Sequence, residues 1–77
     1  MSEYEVTLEG QEGEKGYFIL FTVACEEKDL ESLCIDKASE LNLQIISVDE
    51  VSLIRSLEDQ TKSGVIDVSG KSYFDLS

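Results

Sequence analysis

The sequence predicts a single α+β domain over residues 1–77, built as one mixed or antiparallel sheet of four to five strands with one main helix packed on a face. Two patterns lead to this prediction: polar and apolar residues alternate near the N-terminus, and apolar residues recur at spacings of three and four after residue 26. The third observation is length, because 77 residues allow one domain with a thin core. The expected chain order is a ββαβ core followed by a C-terminal hairpin.

The first two strands are predicted to pair across a glycine-rich loop. Residues 3–9 alternate, with Tyr4, Val6 and Leu8 on one side and mostly glutamates on the other. Residues 10–16 combine glycines with polar side chains, which is typical of a hairpin loop. Residues 17–24 are apolar in both alternating rows, and this indicates a central strand that is covered on both sides.

A helix is predicted over residues 27–41, because its apolar side chains share one arc and the opposite arc is polar. Asn42 is expected to end it in a left-handed conformation. Residues 43–48 form the third predicted strand. Residues 49–62 fit either a short helix, which we favour, or a continuation of that strand past a bulge. The helical arc contains Leu30, Leu33, Cys34, Ala38 and Leu41.

The end of the chain is predicted to form a second hairpin. Residues 65–68 and 72–76 are short β-prone runs, and Ser69-Gly70 between them is a turn signal. If this hairpin or a second helix folded over the sheet, it would cover the apolar row that the main helix leaves exposed.

Charge is the strongest compositional signal. The chain has 17 Asp and Glu against six Lys and Arg, which gives a net charge of −11. Such a surface repels DNA, RNA and anionic lipid, so direct nucleic-acid and membrane binding are not expected. It favours a basic protein partner, although solubility alone also accounts for an acidic composition.

The residue inventory argues against catalysis and against a bound cofactor or metal. Histidine is absent from the sequence, which removes the commonest general base and neutral metal ligand. Cys25 and Cys34 are expected to be reduced and buried, the first at a strand end and the second in the helix. The residues after Met1 do not resemble a signal peptide, and the longest apolar run is too short to span a bilayer, so a cytoplasmic location is expected.

A candidate partner-binding surface combines the acidic row of the first strand with one apolar row of the second. We expect Glu3, Glu5 and Glu9 to lie on the same side of the sheet as Phe18 and Leu20, opposite the helix. Apolar groups ringed by carboxylates are typical of a protein-docking surface.

Part of the chain resembles small uncharacterised bacterial α+β domains. The resemblance covers residues 4–51 and rests on Tyr4-Glu-Val-Thr-Leu8, Gly16-Tyr-Phe-Ile-Leu-Phe-Thr-Val23 and Ile45-Ile-Ser-Val-Asp-Glu-Val51. It implies the fold and carries no activity or site.

Two functions are therefore weighed. The first is an acidic protein-binding module, such as an inhibitor, immunity protein or DNA mimic that acts on a basic partner. The alternative is a small homodimeric structural protein, because a chain of this size has difficulty covering both sides of its second strand.

Overall fold

In the computed structural model, which describes residues 1–58 and 62–75, the chain forms a five-stranded antiparallel sheet with one short helix, and this confirms the predicted α+β class. None of the helices in those residues is long and apolar enough to cross a membrane. The strands are β1 (Ser2–Glu12), β2 (Lys15–Cys25), β3 (Ile45–Ser56), β4 (Gly64–Val68) and β5 (Ser72–Asp75), and a 3-10 turn over Glu27–Asp29 leads into α1 (Leu30–Glu40).

The order of strands in the sheet is β3-β1-β2-β4, with β5 also paired to β2. β4 pairs with the C-terminal half of β2, from Phe21 to Ala24, and β5 pairs with its N-terminal half, from Lys15 to Phe18. The predicted C-terminal hairpin is therefore wrong, because β4 and β5 each bond to β2 instead of to one another. β1 pairs with one edge of the long β2 strand, and the other edge of β2 supplies hydrogen-bonding groups to β4 and β5. Leu76, the last residue of that predicted hairpin, lies outside the described residues.

The turn between β1 and β2 is tighter than the predicted loop over residues 10–16. The strands run in register up to the pair Glu12 and Lys15, which leaves Gly13 and Glu14 as the turn. Gly13 has a φ of 62°, and two-residue turns with glycine first fit the twist of the flanking strands. The polar ends of both strands extend past the core, where their backbone groups still pair.

The short helix predicted within residues 49–62 is wrong for the part that the structure describes. β3 continues from Ile45 to Ser56 along β1 with three register shifts, at which Ile46, Asp49 and Ile54 are the unpaired extra residues. Pairing with β1 outweighs the helical spacing of Leu53 and its neighbours, since β-propensity depends on tertiary context. Residues 59–61 of the predicted helix lie outside the described residues.

The core lies between α1 and one side of the sheet. One row of β2 is almost completely buried there, and Val6 and Leu8 of β1 join it through cross-strand pairing. α1 begins and ends close to the predicted bounds, and Asn42 follows it with a φ of 59°, as predicted. The buried row of β2 contains Tyr17, Ile19, Phe21, Val23 and Cys25, and α1 contributes Leu30, Cys34 and Ala38.

Both cysteines are free and buried, as the sequence predicts. Cys25 is the last residue of β2, and Cys34 lies one turn into α1. Burial raises the pKa of the Cys34 thiol to about 11, and burial together with the charge of Asp29 raises the pKa of Cys25. Neither thiol is therefore an activated nucleophile, since reactivity belongs to the thiolate.

Candidate functional site

The open side of the sheet, defined as the side opposite α1, brings together all five residues of the predicted partner-binding surface. Residues opposite each other in an antiparallel pair project to the same side. Glu9 lies opposite Phe18, and Glu3 and Glu5 follow at even spacings along β1. Leu20 is opposite Thr7 in the same rows. The acidic row of β1 and the second apolar row of β2 are thus adjacent.

The apolar centre of the open side is larger than the sequence predicts. The ring of Phe74 lies 4.9 Å from that of Phe18, measured between centroids, because β5 pairs with this end of β2. Phe18, Leu20 and Phe74 are all half-buried. β5 contacts Phe18 from within the sheet rather than by folding over it, so the alternative in which a C-terminal hairpin covers Phe18 is not observed in the described part of the chain. Phe74 was missed because its strand partner could not be identified from sequence.

Carboxylates dominate the charge of the open side. Register places Glu50, opposite Thr7, and Asp67, opposite Thr22, on the same side as the β1 glutamates. Arg55 lies opposite Glu3, and its guanidinium donates to the Glu3 carboxylate at 3.1 Å. The Glu3 side chain is 14% exposed. Glu3 is therefore paired with a neighbouring strand, while Glu5 is exposed and Glu9 half-exposed.

A second surface, which was not predicted from the sequence, lies on the helix side of the sheet between α1 and β3. In the part of the chain that the structure describes, α1 packs mainly against β2 and β4 and leaves the helix side of β3 uncovered. Two adjoining cavities, of about 380 and 280 Å³, share Glu31 and Val48 and run along the helix. We call the two cavities together the α1–β3 groove. Its walls include Glu27, Glu31 and Ile35 on the helix side and Ile46, Val48 and Val51 on the strand side.

The groove was missed because it depends on β3 being a strand. Had residues after 49 formed a helix, Val51 would not line up with Val48 beside α1. One signal was present in the sequence: Ile35 interrupts the polar arc of the helix, and its side chain is 52% exposed. Val48 and Val51 are also exposed, at 41% and 46%. A strip of apolar side chains is therefore open to solvent next to the core.

A polar cluster fastens β5 to the end of the β1–β2 hairpin. The Tyr73 hydroxyl donates to the Glu12 carboxylate at 2.6 Å, and the Lys71 ammonium lies 3.6 Å from the same carboxylate. Lys71 also lies 4.9 Å from the centroid of the Tyr17 ring. The hydrogen bond from Tyr73, followed by the charge of Lys71, lowers the pKa of Glu12. The described residues contain no group of three or more His, Cys, Asp or Glu that could hold a metal ion.

We expect Glu12→Gln to destabilise the protein at neutral pH and to lose that effect in acid. The pKa of Glu12 is lower in the folded state, so its contribution is present above its ordinary pKa of 4.5 and disappears as the pH falls through the lowered value. Urea unfolding of wild type and variant at pH 7 and pH 3 measures it. Glu14→Gln, in the same turn, removes the same charge without this cluster. If both variants behave alike at pH 7, the cluster does not stabilise the fold.

The chain matches no protein-family model, no curated protein and no solved structure.

Proposed function

We propose that this chain is an acidic protein-binding module that docks on a basic protein partner through the open side of its sheet. The observation that carries the proposal is the arrangement there: Glu5 and Glu9 lie beside Phe18, Leu20 and their neighbour Phe74 on a face that no helix of the described residues covers. Such an arrangement combines an apolar centre with a charged rim.

The charge supports a basic partner in particular. The net charge is −11, and the Arg55 guanidinium on the open side is already paired with Glu3. Alternate residues of a strand lie about 7 Å apart, so on the open side of β1 Glu3 and Glu5 are about 7 Å apart and Glu9 lies about 14 Å from Glu5, beyond Thr7. Carboxylates held in this way compete with phosphate for Arg and Lys, and their field speeds the encounter. An inhibitor, an immunity protein or a DNA mimic would act in this manner.

The proposal also includes the scaffold, the location and the mode of action that we expect from the sequence. The rigid scaffold is the ββαβ core, the chain acts in the cytoplasm of a bacterium, and it binds without catalysing a reaction or holding a cofactor. Its partner is a protein with exposed Arg and Lys, such as one that itself binds nucleic acid.

Charge reversal on the open side tests the proposal. Glu5→Lys combined with Glu9→Lys changes the net charge from −11 to −7, since each reversal adds two. We expect this variant to lose at least tenfold in affinity for basic proteins captured from the source lysate at low salt, mostly through slower association. Glu14→Lys combined with Asp36→Lys makes the same change in the turn and on α1. Equal losses in both variants would mean that net charge alone governs binding, and the open side would not be a docking surface.

The exposed apolar strip beside α1 favours a second candidate, a homodimer of structural role. A homodimer should have a melting temperature that rises with protein concentration, because association then contributes to stability. Sedimentation equilibrium distinguishes the two candidates, since a binding module without its partner stays monomeric.

A further inference from the structure

We infer that the α1–β3 groove receives an amphipathic helix with basic flanks, supplied by the partner protein. The inference rests on the proposed function and adds a second contact surface on the helix side of the sheet. It is drawn from three features of the groove: its width, its charge and the shape of its outer strand.

The width of the uncovered strip matches a helix. Neighbouring strands lie about 4.8 Å apart, and β3 is two strands from β2, so their axes are about 9.6 Å apart. α1 packs against both β2 and β4, and packed helices lie about 8–10 Å from each other. A second helix above β3 and β1, two strand spacings from α1, would therefore lie alongside α1 at ordinary packing distance. It would cover Ile35, Val48 and Val51, which are exposed in the isolated chain.

The charge of the groove favours a basic occupant. Among the described residues that line it, the charged ones are Glu27 and Glu31. Glu31 borders both parts of the cleft, so an amphipathic helix with Leu-type side chains facing β3 would place its flanking Lys or Arg next to these carboxylates. A second copy of this chain would instead bring another net charge of −11 to the same surface.

The shape of β3 argues against an added strand. Its free edge is long, but Ile46, Asp49 and Ile54 are bulged residues spread over its whole length. Bulges twist and interrupt an edge, and proteins use them to prevent edge-to-edge pairing. A strand added beside β3 would also lie in the plane of the sheet and leave the space above Val48 and Val51 empty. A helix fills that space and leaves the irregular edge unpaired.

A designed peptide provides the probe. It has about 14 residues, about 21 Å of helix, with Leu at spacings of three and four and Lys elsewhere. The control peptide has the same composition except for one central proline, which breaks the helix. Fluorescence anisotropy at low salt, with the full chain, measures both affinities. We expect binding of the helical peptide and at least a tenfold weaker affinity for the proline peptide.

Two variants locate the binding site. Ile35→Lys places a repelling charge in the groove and keeps a good helix former on an exposed position. Ile66→Lys makes the same change on β4 at a side chain of similar exposure, 54% against 52%. We expect Ile35→Lys to weaken binding at least tenfold and Ile66→Lys less than twofold. Circular dichroism of both variants verifies that the fold is retained.

Any of the following outcomes would overturn the inference. Equal binding of the proline peptide with new amide protection along β3 would indicate strand addition. A dimer in sedimentation that Ile35→Lys dissociates would make a second copy the occupant. Absence of peptide binding, or binding unaffected by Ile35→Lys, would remove the groove as a site. The proposed function is judged separately, by the loss of partner affinity in the variant that combines Glu5→Lys with Glu9→Lys.

Discussion

Replacing Phe21 with alanine is expected to remove a large part of the protein's stability. The Phe21 side chain is 0% exposed and lies at the centre of the core between α1 and the sheet. Truncating a buried Phe costs about 3–5 kcal/mol, through lost transfer free energy and the cavity that remains. At about 0.05–0.15 kcal/mol per residue, this chain has only about 4–12 kcal/mol of stability to lose. Urea denaturation followed by circular dichroism measures the change.

Phe18→Ala is the matched control, because Phe18 belongs to the same strand and projects to the open side. It is half-buried and its contact with the Phe74 ring contributes about 0.5–1.5 kcal/mol beyond area burial. We expect a loss of roughly 2 kcal/mol or less. A loss as large as that of Phe21→Ala would show that Phe18 is ordinary core. The proposed docking surface would then lack its apolar centre and rest on charge alone.

The second large effect is expected from Gly10→Ala. Gly10 lies opposite Tyr17, and a Cβ atom built at Gly10 would collide with the Tyr17 ring. Tyr17 is 1% exposed and its hydroxyl is directed at the Gln44 carbonyl, so the ring has little room to move. Overpacking of this kind costs about 1–3 kcal/mol. We expect the midpoint of urea unfolding to fall without a change in m-value.

Gly64→Ala serves as the control for that variant. Gly64 is also a strand residue, but no atom lies within 4 Å of a Cβ built there. We expect a change of less than about 0.5 kcal/mol, as is usual for surface substitutions. If Gly10→Ala proved as mild as Gly64→Ala, the Tyr17 ring would not lie against Gly10.

The sequence predicted those elements of the fold that depend only on neighbouring residues in the chain. The alternation of β1, the two apolar rows of β2, the arc of α1 and the left-handed Asn42 all follow from periodicity and capping chemistry. β3 was predicted too short because Leu53, Ile54 and Leu57 have helical spacing, and only pairing with β1 decides between the two structures. The pairing of both β4 and β5 with β2 depends on which edge is free, and that information is absent from local sequence.

The two candidate surfaces also differ in how far they could be predicted from the sequence. The open side follows from strand parity, so Glu3, Glu5, Glu9, Phe18 and Leu20 could be grouped before the fold was known. The ion pair between Arg55 and Glu3 could not be predicted in this way. It depends on the register between β1 and β3, which are separated in the chain by β2 and the helix. The α1–β3 groove arises from where α1 packs across the sheet, which no periodicity in the sequence indicates.

Chemical-shift mapping of the isotope-labelled chain with a captured basic partner tests the central claim most directly. Titration at low salt should shift the amides of β1 and β2 near Glu5, Glu9, Phe18 and Leu20, and higher salt should weaken the complex. The combined Glu5→Lys and Glu9→Lys variant should show these shifts only at much higher partner concentration. Binding that is insensitive to salt and leaves the open-side amides unshifted would contradict the claim that this acidic face is a docking surface.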